Sequence, residues 1–445
     1  MRLSSATKIG FLFLGDVIAL YAALFAVLFV RYGKELFFTS LQLHLIPFSL
    51  AFALWLLVFY IAGLYDLRRL YNNIDFVKTL SLALFVNALL TSFVFYFLPI
   101  LGIAPKTNLF AFMAVFALIE FVWRRTFNLR ATFREGLNRV LVFGEGKITE
   151  EAMRAVKQNP QVGYEITAWF HGGVADPNAK ELGSFVRRHR ITLVVIPYHM
   201  KHDEVFAKAL FDLLTSGVVV TDTPSFYESV FRKIPLDDIK ESWFLEHRIG
   251  ERRFFDELKR GIEFFCALSF LILLAPLFVF LSLLIRLTSR GKTIYAQQRV
   301  GRHGNIFTLY KFRTMAHDSE KNGAQWSQRN DMRVTALGSF LRHTHLDELP
   351  QLWNIARGEL SFVGPRPERP EFVTLLTEEI PYYEVRHLVK PGVTGWAQIN
   401  YRYGASIEDS KEKLEYDLYY LKNRSLILDI AIVIKTAKTF FVNHT

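Results

Sequence analysis

Four long apolar stretches open the chain, about Ile9–Val30, Leu45–Leu64, Thr79–Leu101 and Leu109–Val122. The first three reach the roughly 20 residues that a helix needs to cross a bilayer, and the fourth is marginal. The first lacks a small-residue cleavage site and is followed by more apolar runs, so it reads as a span, not a cleaved leader. After them the pattern changes. From about Asn138 to Arg248, short apolar runs alternate with amphipathic stretches: RVLVFGEG ends in a glycine turn, Glu150 to Val156 has helical spacing, and ITLVVIP at Ile191 and GVVVTDTP at Gly217 read as strands. That alternation predicts a small parallel α/β sheet.

A fifth apolar run, Phe264 to Ile285, carries no charge. Its flanks are both basic, with Arg248, Arg252, Arg253, Lys259 and Arg260 before it and Arg286, Arg290, Lys292, Arg299 and Arg302 after it. Two basic flanks prefer the same, cytoplasmic, face. Pro276 stands near its centre, where a proline breaks or kinks a helix and leaves each half too short to cross alone. A re-entrant helix dipping into one leaflet satisfies both facts.

Loop charges orient the first four runs. Arg2 and Lys8 precede the first, Arg68, Arg69 and Lys78 lie between the second and third, and Arg124, Arg125, Arg130, Arg134 and Arg139 follow the fourth. The intervening loops hold Arg31 with Lys34, and Lys106. The positive-inside rule then places the N-terminus and everything after the fourth span in the cytoplasm.

Composition agrees. The 445 residues are 51% hydrophobic, with mean hydropathy +0.20, and imply several domains. The net charge of +11 and pI near 9.5 call for anionic partners. Because the bases sit beside apolar segments, membrane headgroups and a phosphorylated substrate fit better than nucleic acid. The single cysteine, Cys266, excludes an intramolecular disulfide and reads as a small buried hydrophobe.

The chemistry concentrates near the C-terminal third. Asp347 to Pro367 reads DELPQLWNIARGELSFVGPRP, preceded by KFRTM at Lys311 and followed by PGVTGWAQIN at Pro391. Paired acids able to hold a divalent metal, set among bases able to hold phosphate oxygens, suit phosphoryl transfer. Pro350 belongs in a first helical turn, so the helix is expected to start near Leu346 or Asp347, with both acids at its positive end and Asp347 held ionised. A DE pair can also merely cap a helix. Lys311 and Arg313 would share one face of a strand, gripping phosphate or lipid headgroups, while Arg342 and Arg366 are read as phosphate contacts. Gln398 is a candidate for a nucleobase or sugar, and Trp396 for a membrane-interface anchor. In the middle domain Gly144 and Gly146 begin a dinucleotide fingerprint, but its third glycine falls at Thr149, which favours a Rossmann-like module without cofactor.

These motifs, in this order from about Phe254 to Phe441, resemble the bacterial sugar transferases, monotopic polyprenyl-phosphate phosphoglycosyl transferases. The upstream half is similar to that of their larger members. The resemblance implies a re-entrant helix broken at a Ser-Pro pair, where this chain has Ala275-Pro276. It implies that Asp347 is the nucleophile forming an aspartyl-phosphosugar and Glu348 a Mg2+ ligand. It implies a UDP-sugar donor, a polyprenyl (undecaprenyl) phosphate acceptor, release of UMP, and a homodimer in the bacterial inner membrane with its catalytic part on the cytoplasmic face.

The expected architecture is therefore an integral membrane α+β protein. Residues 1–130 form a four-helix transmembrane bundle, 131–250 a Rossmann-like cytoplasmic domain, and 251–445 a mainly helical catalytic domain with a re-entrant helix at about 264–285. Two other functions fit parts of the pattern. A membrane-tethered nucleotide-sugar dehydratase or epimerase would need an intact glycine fingerprint and a Tyr-x-x-x-Lys pair, absent from the middle domain. A non-catalytic assembly scaffold would tolerate loss of the acids that this chain keeps.

Overall fold

The computed structural model describes residues 5–65, 74–97, 106–131, 137–159, 162–170, 179–198, 200, 204–215, 217–247, 249, 252–289, 291–315, 333–401 and 406–442. The orienting bases Arg2, Arg68, Arg69 and Arg134, and the flanking Arg248 and Arg290, lie outside these residues. The chain divides into two compact units, 1–226 and 227–445.

The first unit begins with α1 (Ser5–Ala62), α2 (Ile74–Phe97) and α3 (Lys106–Ala131). The first two expected spans both fall within α1, one in each of two helical halves, and most of the residues between them also take helical backbone. The halves meet at Gly33, whose φ of 62° and ψ of −176° interrupt the helix. They then pack on each other: Tyr21 Oη lies 2.8 Å from Ser49 Oγ, and the Tyr21 ring stands edge-on to Phe52 with centroids 5.1 Å apart. Leu20, Phe48, Trp55, Leu80, Phe112 and Phe116 share one apolar core across α1, α2 and α3. Inside it Arg124 pairs with Asp16 and Glu120 and donates to the Leu64 carbonyl, which satisfies a fully buried guanidinium. Among the described residues, one helix, Ile9–Ala62, is long and apolar enough to cross a membrane, and Phe76–Ser92 is a shorter apolar helix.

The α/β portion follows as β1 (Asn138–Phe143), α4 (Lys147–Gln158), β2 (Tyr164–Phe170), α5 (Ala179–His189), β3 (Leu193–Ile196), α6 (Glu204–Thr215) and β4 (Val219–Asp222). All pairings are parallel, in the order β2-β1-β3-β4. Leu141, Val194 and Ile196 meet Leu182, Val186 and Leu213 in its core. Strand β2 had no counterpart in the sequence reading, since YEITAWF lacks the all-apolar character of β1 and β3. Gly144 has φ 89°, and a Cβ there would lie 2.4 Å from Pro197 Cγ, so packing alone demands this glycine. Thr149 is buried on α4.

The division falls within α7 (Thr223–Phe231). Residues 227–249, including α8 (Glu241–Glu246), are held by the C-terminal unit. Lys233 pairs with Glu412 at 2.5 Å and Glu415 at 3.0 Å, and Trp396 Nε1 donates to the Arg232 carbonyl at 2.9 Å.

In that unit α9 (Arg253–Leu273) and α10 (Ala275–Thr288) form an apolar pair bent by 61°. The break is at Leu274, and Pro276 stands in the first turn of α10, where its missing N–H costs nothing. Phe265, Ile272, Leu273, Val279 and Leu287 are each about 70% exposed on this pair, an apolar surface that water would disfavour. Cys266 lies on the same exposed surface, correcting its expected burial: its helical neighbour Ala267 takes the inward position.

A hairpin of β5 (Ile294–Val300) and β6 (Ile306–Phe312) follows, then α11 (Ala336–His343), α12 (Gln351–Arg357), β7 (Ser361–Val363), α13 (Pro370–Glu379), β8 (Gly392–Thr394), α14 (Trp396–Asn400), α15 (Ile407–Asn423) and α16 (Leu426–Val442). Strands β7 and β8 pair in parallel. α15 opens with a capping box in which the Ser406 and Asp409 side chains each take the other's backbone N–H.

Candidate active site

Two close approaches build the site. A Cβ at Gly338 on α11 would lie 2.0 Å from the Thr314 carbonyl, so only glycine lets α11 seat against the end of β6. Asn354 on α12 is fully buried; its Nδ2 donates to the Thr308 carbonyl at 2.7 Å and its Oδ1 accepts from the Tyr310 amide at 3.1 Å. These bonds clamp α12 to β6 and set Lys311 opposite the segment before α12.

That segment is not the helix start expected from Pro350. His345 takes a left-handed backbone (φ 52°), Leu346–Glu348 form a single 3-10 turn, and Pro350 caps α12, which begins at Gln351. The acids therefore precede the helix.

Glu348 Oε1 accepts from Lys311 Nζ at 2.6 Å and from Arg366 Nη2 at 3.2 Å. Burial opposes its ionisation, but the Lys311 and Arg366 charges outweigh it and hold the carboxyl at about 2. Asp347 is only 8% exposed and, among the described residues, accepts no hydrogen bond. Burial, reinforced by the Glu348 charge, pushes its carboxyl up to about 6, against Lys311, Arg342 and Arg366. Asp347 is thus harder to ionise than expected, because it sits in a desolvated turn and not at a helix terminus. The two neighbouring acids have opposite electrostatic characters, one clamped and one unsatisfied.

The other expected site residues divide. Lys311 and Arg366 are in contact with the acids. Arg342 acts on Asp347 through its field, while its Nε donates to Thr314 Oγ1 at 2.9 Å. Arg313 lies past the end of β6 and donates to the carbonyl and hydroxyl of Ser289, so it braces the end of α10. Gln398 Nε2 is spent on the Val393 carbonyl at 3.0 Å, and its buried Oε1 has no partner among the described residues. Trp396 is no interface anchor: it is 3% exposed, stacks on Tyr419 at 5.4 Å and bonds the backbone.

One contributor had no signal in the sequence beyond being a basic residue. Buried Arg386 donates to the Arg366 carbonyl at 2.9 Å and to Tyr383 Oη at 2.5 Å, and pairs with buried Asp417 of α15 at 2.9 Å. It therefore fixes the backbone that aims Arg366 at Glu348. Replacing it with leucine strands the Asp417 charge, so Arg386→Leu should cost about 3–5 kcal/mol. Thermal unfolding of the solubilised protein reads this, and an unchanged midpoint would refute the bracing role.

Mg2+ usually takes one or two protein carboxylates and completes its shell with water and substrate phosphates. No group of three or more acid, histidine or cysteine ligands occurs among the described residues, and Glu348 with Asp347 supplies the smaller set. Both cations bond Oε1 of Glu348, and Oε2, which has no partner among the described residues, together with Asp347 fits a metal brought in with a phosphorylated substrate.

Comparison with known proteins follows the same segment. The family described as bacterial sugar transferase matches residues 254–443. The chain is 30% identical over 361 residues to the undecaprenyl-phosphate galactose phosphotransferase of Salmonella typhimurium, covering 74% of this chain and 73% of that protein. It is 32% identical over 324 residues to the UDP-glucose:undecaprenyl-phosphate glucose-1-phosphate transferase of Escherichia coli, covering 68% of each. Identity rises to 45% over 182 residues with the UDP-N-acetylgalactosamine-undecaprenyl-phosphate N-acetylgalactosaminephosphotransferase of Aeromonas hydrophila, where the match spans less than half of either chain, 41% and 43%. A family match over residues 254–443, which hold the paired acids, together with 30% or more identity across about two thirds or more of two relatives, shows that the chain belongs to the bacterial sugar transferase family.

Proposed function

We propose that this protein is a phosphoglycosyl transferase of the bacterial cytoplasmic membrane that moves a hexose-1-phosphate from a UDP-sugar to undecaprenyl phosphate and releases UMP, the initiating step of exopolysaccharide or related glycan synthesis. The observation that carries it is Asp347, a buried carboxylate without a hydrogen bond beside one clamped by Lys311 and Arg366. An unsatisfied carboxylate keeps its lone pairs for attack on phosphorus. An Asp347 oxygen bonds to the β-phosphorus, the bond to the UMP oxygen breaks, and UMP leaves with that electron pair. A phosphate oxygen of the lipid then attacks the same phosphorus, releasing the Asp347 carboxylate and forming the lipid diphosphate sugar. Arg366, with Lys311 behind it, supplies fixed positive charge where the diphosphate must lie. Mg2+ held through Glu348 would neutralise diphosphate oxygens.

The bent α9–α10 pair with its exposed apolar surface is read as a re-entrant helix, and the apolar N-terminal core as four spans, with the catalytic part in the cytoplasm. The acting form on this reading is a homodimer. Gly144 packs against Pro197, and Thr149 is buried where a dinucleotide fingerprint needs its third glycine, which supports an α/β portion that holds no nicotinamide cofactor.

The test is a donor panel with purified membranes: UDP-glucose, UDP-galactose and UDP-N-acetylgalactosamine, each with and without undecaprenyl phosphate. One donor should give UMP in proportion to lipid diphosphate sugar. Release of UDP in place of UMP would assign direct glycosyl transfer and overturn the reading.

A further inference from the structure

At the other end of α12 from the paired acids lies a cavity of about 400 Å³, lined by basic residues of α9, of the turn after β5 and of the stretch before β8. A Cβ on Gly358, which closes α12, would lie 3.4 Å from Lys390 Nζ and 3.6 Å from Arg260 Nε, so both heads converge there. Seven helical residues at about 1.5 Å each put this end roughly 10 Å beyond the start of α12, too far to hold the reacting phosphate.

Charge in the cavity is not balanced from within. Asp256 is taken by Arg424 at 2.9 Å and Arg302 at 3.8 Å. Glu263 accepts from Ser361 Oγ at 2.5 Å and the Phe362 amide at 3.0 Å, with Lys259 3.8 Å away and itself on Asp429 at 2.7 Å. Exposed Glu257 pairs with neither remaining cation. Arg260 and Lys390 have no hydrogen bond or ion pair among the described residues. A helix C-terminus favours one cation, but a second beside it meets like charge. Burial, then the Arg260 charge, lowers the pKa of Lys390, a penalty that a bound anion would relieve.

A groove shares Arg260 and Glu257 with this cavity and continues along Gly261, Phe264, Ile355 and Ala356. It leads from the cations onto the exposed apolar face of α9, where Phe264, Phe265 and Leu268 stand out. Cations joined to an apolar track match a phosphate head with an attached acyl chain.

We propose that the Arg260–Lys390 cavity binds the phosphate of an anionic phospholipid whose acyl chain lies along α9, at a site separate from the acceptor lipid. It rests on the placement of α9 in the membrane, and it would fasten α9 to the catalytic fold.

Native mass spectrometry of the detergent-solubilised full chain, with phosphatidylglycerol or phosphatidylcholine added, tests it. Wild-type protein should retain phosphatidylglycerol at least about tenfold more strongly, given roughly 1 kcal/mol per cation. The Arg260→Gln/Lys390→Gln double variant should lose that preference, and Arg260→Lys/Lys390→Arg should keep it. Asp347→Asn protein should retain the lipid like wild type, so the outcome stands apart from the transfer reaction. Persistence of the preference in the glutamine double variant would overturn the proposal. So would displacement of the lipid by millimolar inorganic phosphate, which would assign a free anion. Stoichiometric displacement by undecaprenyl phosphate would assign the acceptor's own site and equally overturn it.

Discussion

Asp347→Asn protein should fold, bind to membranes and fail to transfer, with the rate down by about a thousandfold or more. Asparagine keeps the size of the side chain but offers no anionic oxygen to phosphorus. The side chain accepts no hydrogen bond among the described residues, so the substitution strands no partner and stability should hold. With donor labelled in the sugar and the lipid acceptor withheld, wild-type protein should carry label and the variant none. The pH profile is a second readout of the same group. Attack needs the carboxylate, so kcat/KM should fall as pH drops through about 6, well above the ordinary aspartate value of 3.8. Near wild-type turnover by Asp347→Asn would remove Asp347 from the nucleophile role.

The second large effect is expected at Glu348. Its carboxylate is what Lys311 and Arg366 converge on, and it is ionised throughout the working pH range at about 2. Glu348→Gln leaves two cations facing a neutral amide and removes the anionic ligand proposed for Mg2+. Transfer should fall at least about a hundredfold. Chelation of divalent metal should silence the wild-type protein and change the residual rate of Glu348→Gln much less. If the variant responded to Mg2+ with wild-type affinity, the metal would have to be held elsewhere. Circular dichroism and detergent-extracted yield distinguish this loss from misfolding.

Much of the molecule was legible in the order of its residues because the signals are local. Apolar run length marked α1 to α3 and the α9–α10 pair, and period marked β1, β3, β4 and α4. Proline chemistry marked the region of the break, found at Leu274 beside Pro276. The paired acids and their surrounding bases were visible as a cluster because Asp347, Glu348 and Arg366 lie within about twenty positions. What escaped was set by non-local contacts. Gly33 breaks α1 between the first two runs, and the sequence did not mark the place, since whether a lone glycine bends a helix depends on what the halves find to pack against. The 3-10 turn before Pro350 exists because Asn354 holds α12 on β6, and that turn, not a helix terminus, sets the charge state of Asp347. Lys311 and Arg313 are two residues apart and looked equivalent, yet the end of β6 sends one to Glu348 and the other to Ser289. Arg386 is the clearest case: it acts through Arg366 twenty positions upstream and Asp417 thirty-one positions downstream. Residue type and spacing therefore determined which chemistry this chain carries. Tertiary structure alone decided which base meets which acid, because hydrogen bonds and charges act over ångströms and chain position does not measure that distance.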